Sequence, residues 1–142
     1  SHVLLVCTGN TCRSPMGEAI LKVLLEERGI PWQVSSAGLF AVDGFPASPF
    51  AVEAMAERGI DLSRHRARRV SLQILEDATH VVGVNGNHVE SLLSQYPEQS
   101  SRIRAFPLPE IPDPYGFGLD TYRIVRDLLF DWCYTLLDCI SD

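Results

Sequence analysis

No apolar run in this 142-residue chain approaches the ~20 residues that a bilayer-spanning helix needs, and its first residues lack the basic, apolar and small-residue succession of an export signal. A membrane is therefore not an expected partner. Long basic stretches are missing too. The longest is RHRARR at 64–69, and with a formal net charge of −6 the whole-molecule field repels polyanions, so nucleic acid is not an expected partner either. The four cysteines (Cys7, Cys12, Cys133, Cys139) have neither the spacing of a zinc site nor the density of a secreted disulfide scaffold. That predicts a reducing cytoplasm. Repeats, low-complexity tracts and linkers are absent, and 46% hydrophobic content over this length predicts one domain across residues 1–142.

What is present is an alternation of two kinds of segment. VLLVC (3–7) is a continuous apolar run of the kind that forms a strand buried on both faces. Ser14 suits an N-cap and Pro15 a first helical position, after which Met16, Ala19, Ile20, Val23 and Leu24 recur at helical spacing until Gly29. The pair then repeats. WQVSSAG (32–38) reads as strand and SPFAVEAMAERG (48–59) as helix; THVVGV (79–84) reads as strand and HVESLLSQY (88–96) as helix; RIRAF (102–106) is a fourth strand. A last helix opens at Asp120 as N-cap and carries Val125, Leu128, Leu129, Trp132, Cys133, Leu136, Leu137 and Ile140 on one apolar stripe.

Such alternation predicts a single doubly wound α/β domain, with a central four-stranded parallel sheet and helices on both faces. Ligands bind such sheets beyond the carboxyl ends of the strands, which is where Cys7 falls. The one long irregular segment is PLPEIPDPYGFG (107–118), and loops of that length inside compact domains are often functional.

Between the first strand and the first helix lies CTGNTCRS (7–14). A short loop there turns successive backbone N–H groups into one concavity, and the helix dipole adds partial positive charge: an anion cradle. It lacks the Gly-Lys-Ser/Thr of a nucleotide-binding loop. A thiol in that field is expected to ionise. Free cysteine is only about 3% thiolate at pH 7, whereas a pKa near 6 gives roughly 90%. Arg13 can return to the rim and bind two phosphoryl oxygens at once, which lysine cannot do. Ser14 can donate its hydroxyl to the thiolate of Cys7. What the loop lacks is a proton donor for a leaving group, and Asp113 in the irregular segment is the candidate.

C-x5-R-S-P within VCTGNTCRSPMGEA resembles the signature of the low-molecular-weight protein tyrosine phosphatase family, whose members include bacterial protein arginine phosphatases. SSAG (35–38), the H-x-A-R pattern (65–68) and DPYG (113–116) fall where that family has counterparts. The resemblance implies a phosphate-binding loop formed by Thr8, Gly9, Asn10, Thr11, Cys12 and Ser14, with Cys7 as nucleophile, Arg13 on the phosphoryl oxygens and Asp113 as acid then base. It implies phosphorylated proteins as substrates and neither metal nor other cofactor. Asn10 would hold the loop's shape and His65 would brace Asn10. Cys12 stands where some members carry a reversible disulfide partner for the nucleophile.

Arsenate reductases share this loop but carry further redox cysteines after the third strand, and residues 79–100 contain none. Phosphoarginine is the expected substrate group, with phosphotyrosine the alternative. Thr11 resembles the arginine phosphatases, where tyrosine-specific members usually have a larger aliphatic side chain, and Phe40 could offer a face to a guanidinium; Tyr115 could instead wall a phosphotyrosine ring. His2, His80 and His88 match nothing in the family and read as peripheral, and Cys133 as core.

Overall fold

A computed structural model describes residues 1–106 and 108–140; Pro107, the first residue of the expected irregular segment, lies outside them. Four strands, β1 (His2–Cys7), β2 (Gln33–Gly38), β3 (His80–Gly83) and β4 (Ile103–Arg104), form one sheet in the order β2-β1-β3-β4, with every pairing parallel. Five α-helices connect or follow them: α1 (Arg13–Glu27), α2 (Pro49–Ala56), α3 (Leu72–Glu76), α4 (Gly86–Gln95) and α5 (Leu119–Cys139). The predicted architecture is the observed one.

β1 is central because its side chains serve both faces. Val3, Leu5 and Cys7 join the core beneath α1, α2 and α5, where Met16, Ile20, Leu129 and Trp132 are buried. Leu4 and Val6 point to the other face, with Leu75, Val81, Val89 and Leu92. Each fully buried side chain of this size contributes about 1.5–3 kcal/mol, so a polar residue anywhere in 3–6 would destabilise the domain. The chain leaves β1 toward β2 and later returns to its other side for β3. This reversal opens a crevice at the carboxyl end of β1, next to Cys7.

Boundaries differ from the sequence reading in informative ways. α1 begins at Arg13 with Cys12 in the N-cap position, so Ser14 lies inside the helix rather than capping it. Cys12 caps nothing with its side chain, and the Ser14 N–H in the first turn of α1 is directed at Cys7 instead. α5 likewise opens after Gly118, and Asp120 pairs within its first turn with Arg123 at 3.0 Å. α4 starts two residues early because Asn85 caps it. α3, capped by the Ser71 hydroxyl on the Ile74 N–H, was not expected at all, and β4 is only two residues long.

Candidate active site

Residues 8–12 pack closely over the end of β2. A Cβ on Gly38, the last residue of SSAG, would stand 2.6 Å from the Thr8 carbonyl oxygen and 2.9 Å from the Asn10 nitrogen. Only glycine lets this backbone approach. In the loop, Asn10 is the one non-glycine residue with positive φ (+56°) among the described residues, a conformation that asparagine tolerates better than most.

Four contacts hold it. Its Nδ2 donates to Ser14 Oγ (2.8 Å) and Ser36 Oγ (2.9 Å), its Oδ1 accepts from the Arg68 N–H (3.0 Å), and its carbonyl faces His65 Nε2 at 2.8 Å. A carbonyl only accepts, so His65 carries its proton on Nε2. Because Asn10 donates to Ser14 Oγ, the Ser14 hydroxyl hydrogen is left to point at Cys7 Sγ, 2.8 Å away.

Cys7 is buried. Burial pushes its thiol up from the ordinary value; the Ser14 hydroxyl, the N–H groups of Ser14 and Asn10, and the Arg13 charge work in the opposite direction. The sequence-based expectation of an ionised thiol counted only these stabilising groups. Desolvation is the correction to it.

Cys7 and residues 8–13 line a cavity of about 230 Å³ together with Asp113 and Tyr115. Arg13 is 7% exposed, donates through Nη1 to the Ile111 carbonyl (3.3 Å) and holds Nη2 3.6 Å from Asp113 Oδ2. Asp113 Oδ1 accepts the Tyr115 N–H at 3.1 Å, so Oδ2 is the oxygen left toward Arg13. Thr11 reaches the cavity with its hydroxyl 3.7 Å from Cys12 Sγ, and its carbonyl accepts the Ser48 N–H. Cys12 Sγ also lies 3.4 Å from Tyr122 Oη, which pairs with Ser48 Oγ at 2.9 Å. Burial leads the influences that push the Tyr122 phenol up to about 12.

Phe40 is the expected contributor that the fold does not bring in. Its N–H donates to the Thr8 carbonyl at the loop's edge, but the side chain is 63% exposed and does not line the cavity. Cys133 is core, its thiol pushed up by burial. Among the described residues no group of three or more His, Cys, Asp or Glu is arranged to hold a metal ion.

Two residues near the site escaped the sequence reading. His88, read as peripheral, is fully buried: Nδ1 accepts the Asn85 N–H (3.1 Å), so the neutral ring bears its proton on Nε2 and donates to Thr8 Oγ1 (3.1 Å). Burial, aided by the Arg13 charge and opposed by Asp113, lowers its pKa to about 4. Gly83 lets this turn of α4 approach, since a Cβ there would lie 2.7 Å from Val89 Cγ2, 2.9 Å from the Val89 nitrogen and 3.1 Å from the His88 Cβ. Asn85 binds both the N–H and the carbonyl of Ile111, two residues before Asp113. The spacing N-x-x-H at 85–88 is a capping-box pattern and could have flagged both. His2 and His80, by contrast, begin β1 and β3 at the far end of the sheet.

Comparison with known proteins is consistent across the chain. Residues 2–142 match the model of the low molecular weight phosphotyrosine protein phosphatase family. A protein-arginine-phosphatase of Geobacillus stearothermophilus is 36% identical, covering 99% of this chain and 94% of its own. The crystal structure of a low molecular weight protein tyrosine phosphatase from T. tengcongensis superposes with a TM-score of 0.92 at 41% identity, covering 98% of this chain and 99% of that one. The arginine phosphatase YwlE, as a mutant with a phosphorylated active-site serine, superposes with a TM-score of 0.92 at 32% identity, covering 98% of this chain and 95% of that one. With its fold shared and nearly its whole length matched, this chain belongs to the low molecular weight phosphotyrosine protein phosphatase family.

Proposed function

We propose that this enzyme removes phosphate from phosphoarginine on proteins through a cysteinyl-phosphate. The observation that carries the reading is the shared cavity in which Cys7 Sγ, the Arg13 guanidinium and Asp113 face one volume beneath a polar Thr11. Arg13 and the loop N–H groups hold the phosphoryl oxygens while Cys7, as the thiolate that the Ser14 hydroxyl and the loop N–H groups stabilise against burial, attacks phosphorus in line. The S–P bond forms as the P–N bond breaks, and the nitrogen takes a proton from Asp113. Water then attacks the cysteinyl phosphorus, giving its proton to the Asp113 carboxylate. The departing thiolate is received by the Ser14 hydroxyl. The named serine-phosphorylated relative supports a covalent step at the equivalent position.

The Thr11 hydroxyl suits a guanidinium, whose N–H groups need acceptors, better than an apolar ring. The alternative is phosphotyrosine, favoured by the Tyr115 ring on the cavity wall and by the tyrosine phosphatases among the relatives. A nucleophilic thiol must be kept reduced, which supports the cytoplasm as its compartment. Cys12 lines the same cavity, which supports reading it as the thiol that condenses with a Cys7 sulfenic acid, releasing water, to give a reversible disulfide. Among the described residues no helix is long and apolar enough to cross a membrane.

The test is hydrolysis of phosphoarginine and phosphotyrosine peptides side by side, with arsenate reduction as a control. A kcat/KM at least tenfold higher for phosphoarginine, lost in Cys7→Ser, is the expected result. A preference for phosphotyrosine overturns the specificity, and turnover by Cys7→Ser within tenfold of the unmodified enzyme overturns the covalent step.

A further inference from the structure

The basic stretch RHRARR is not consumed by the chemistry above. Arg64, His65, Arg66 and Arg68 line a second cavity, of about 600 Å³, between α1, β2 and the segment 60–68. This is more than twice the volume of the catalytic one and within the ~300–1,000 Å³ usual for small-molecule sites. With Lys22, four cations face it against two carboxylates, Glu18 and Asp61, in a chain whose net charge is −6.

Both carboxylates are already engaged. Asp61 accepts from the Ser63 N–H (2.8 Å) and hydroxyl (2.6 Å), which, with a smaller contribution from Arg64, hold its carboxyl below the usual value. Glu18 accepts from Ser36 Oγ (2.5 Å) and Lys22 Nζ (2.7 Å). Arg64 and Arg66 are exposed, and among the described residues neither has a carboxylate within ion-pair distance. Arg66 donates to the His65 carbonyl and Arg68, through Nε, to the Ser36 carbonyl. Guanidinium groups satisfied by carbonyls keep their charge uncompensated. Ile60, Leu62 and Val34 give the cavity an apolar side.

We propose that this cavity is an effector site for a small polyanion, one bearing two or more carboxylate or phosphate groups on a compact body. Its occupant acts on the catalytic loop through Asn10. Three of the groups that hold Asn10 in its left-handed conformation, His65, Arg68 and Ser36, also line this cavity. An anion there screens the mutual repulsion of Arg64, Arg66 and Arg68 and stiffens the segment that fixes Asn10. A better-held loop binds phosphate more tightly, so the effector lowers KM, and by linkage the substrate tightens the effector.

Calorimetry tests binding without reference to what the enzyme hydrolyses; only the kinetic half rests on the phosphatase reading. Citrate and pyrophosphate are titrated into protein whose catalytic loop is blocked by orthovanadate. Saturable binding is expected, weakened at least tenfold in Arg64→Glu/Arg66→Glu and in the milder Arg64→Ala/Arg66→Ala, and the tighter of the two anions identifies carboxylate or phosphate as the recognised group. Citrate should lower the KM for para-nitrophenyl phosphate at least twofold, and do so in neither double variant, whose citrate-free kinetics stay within twofold of the unmodified enzyme. Absent binding, or binding undiminished by both double variants, overturns the site. A KM that is unchanged at saturating citrate, or that rises through competition at the loop, overturns the coupling.

Discussion

Asn85 grips the backbone of Ile111 with both ends of its amide: Nδ2 donates to the carbonyl at 2.9 Å and Oδ1 accepts the N–H at 2.7 Å. The same carbonyl receives Arg13 Nη1, so one peptide of the irregular segment is fixed both to the cap of α4 and to the first residue of α1. Asp113 follows two residues later with a half-exposed side chain and only the Tyr115 N–H and Arg13 to orient it. The position of Asp113, the proposed acid, therefore depends on Asn85.

Asn85→Ala should lower kcat at least tenfold with poor leaving groups and less with an activated aryl phosphate, because a general acid, worth ~10²–10⁴-fold, matters most where the leaving group is basic. Asn85→Asp keeps the acceptor for the Ile111 N–H and should lose less. The measurement is kcat across a series of aryl phosphates. A loss equal for all of them would show that Asn85 supports the loop as a whole, not the acid.

Ser14 bears directly on Cys7, the proposed nucleophile. Its hydroxyl is oriented toward Cys7 Sγ by the Asn10 amide, and it opposes the burial that pushes the thiol up. In Ser14→Ala the thiolate loses a charge-assisted hydrogen bond, so the pH at which iodoacetamide alkylates Cys7 at half its maximal rate moves upward. Turnover at neutral pH falls roughly tenfold or more, since hydrogen bonds to charged groups are worth about 1.5–3 kcal/mol. An unmoved alkylation profile would mean that the backbone N–H groups suffice.

Much of this site was legible in the sequence because its parts are local. Cys7, Arg13 and Ser14 sit within eight residues between an unmistakable buried strand and an amphipathic helix, and strand–helix alternation gave the sheet order its parallel sense. What was not legible came from long-range contacts. Nothing in HVESLL announces that His88 would meet Thr8, eighty residues earlier, and its helix start was misplaced because Asn85 and His88 cap each other. Ser14 looked like an N-cap from its place before Pro15, yet the helix begins earlier so that its N–H groups and Ser14 itself can face the thiol. Desolvation of Cys7, too, depends on what covers it, and neighbouring residues in the chain do not reveal that.

His88 predicts a pH dependence of stability. Its pKa falls from about 6.5 in the unfolded chain to about 4 in the fold, so between these values the unfolded state binds more protons than the folded one. Stability from this group is intact above about pH 6.5 and is lost as the pH drops toward 4, by at most about 3 kcal/mol. Urea midpoints measured from pH 7 to pH 4 should decline, and His88→Gln should flatten that decline while lowering the midpoint at pH 7. Equal slopes in the two proteins would assign the acid sensitivity to other groups.

Thr11 carries the last prediction, which concerns substrate choice. Its backbone is fixed by the Ser48 N–H, so a substitution changes the cavity wall more than the loop's path. Phe40 lies outside the cavity lining, so among the described residues Tyr115 is the ring on the wall, and Thr11 and Asp113 are two of the lining groups able to accept from a guanidinium. Thr11→Ile removes one acceptor and adds apolar surface. A single such hydrogen bond is worth ~0.5–1.5 kcal/mol, and leaving a guanidinium N–H unpaired costs more, so phosphoarginine hydrolysis should fall about tenfold. Phosphotyrosine hydrolysis should hold or rise, because an aromatic ring gains an apolar neighbour. The ratio of the two kcat/KM values, measured on peptides of the same sequence, is the quantity to follow. If both activities fall together, Thr11 serves the loop and specificity resides elsewhere, with Tyr115 the next residue to replace.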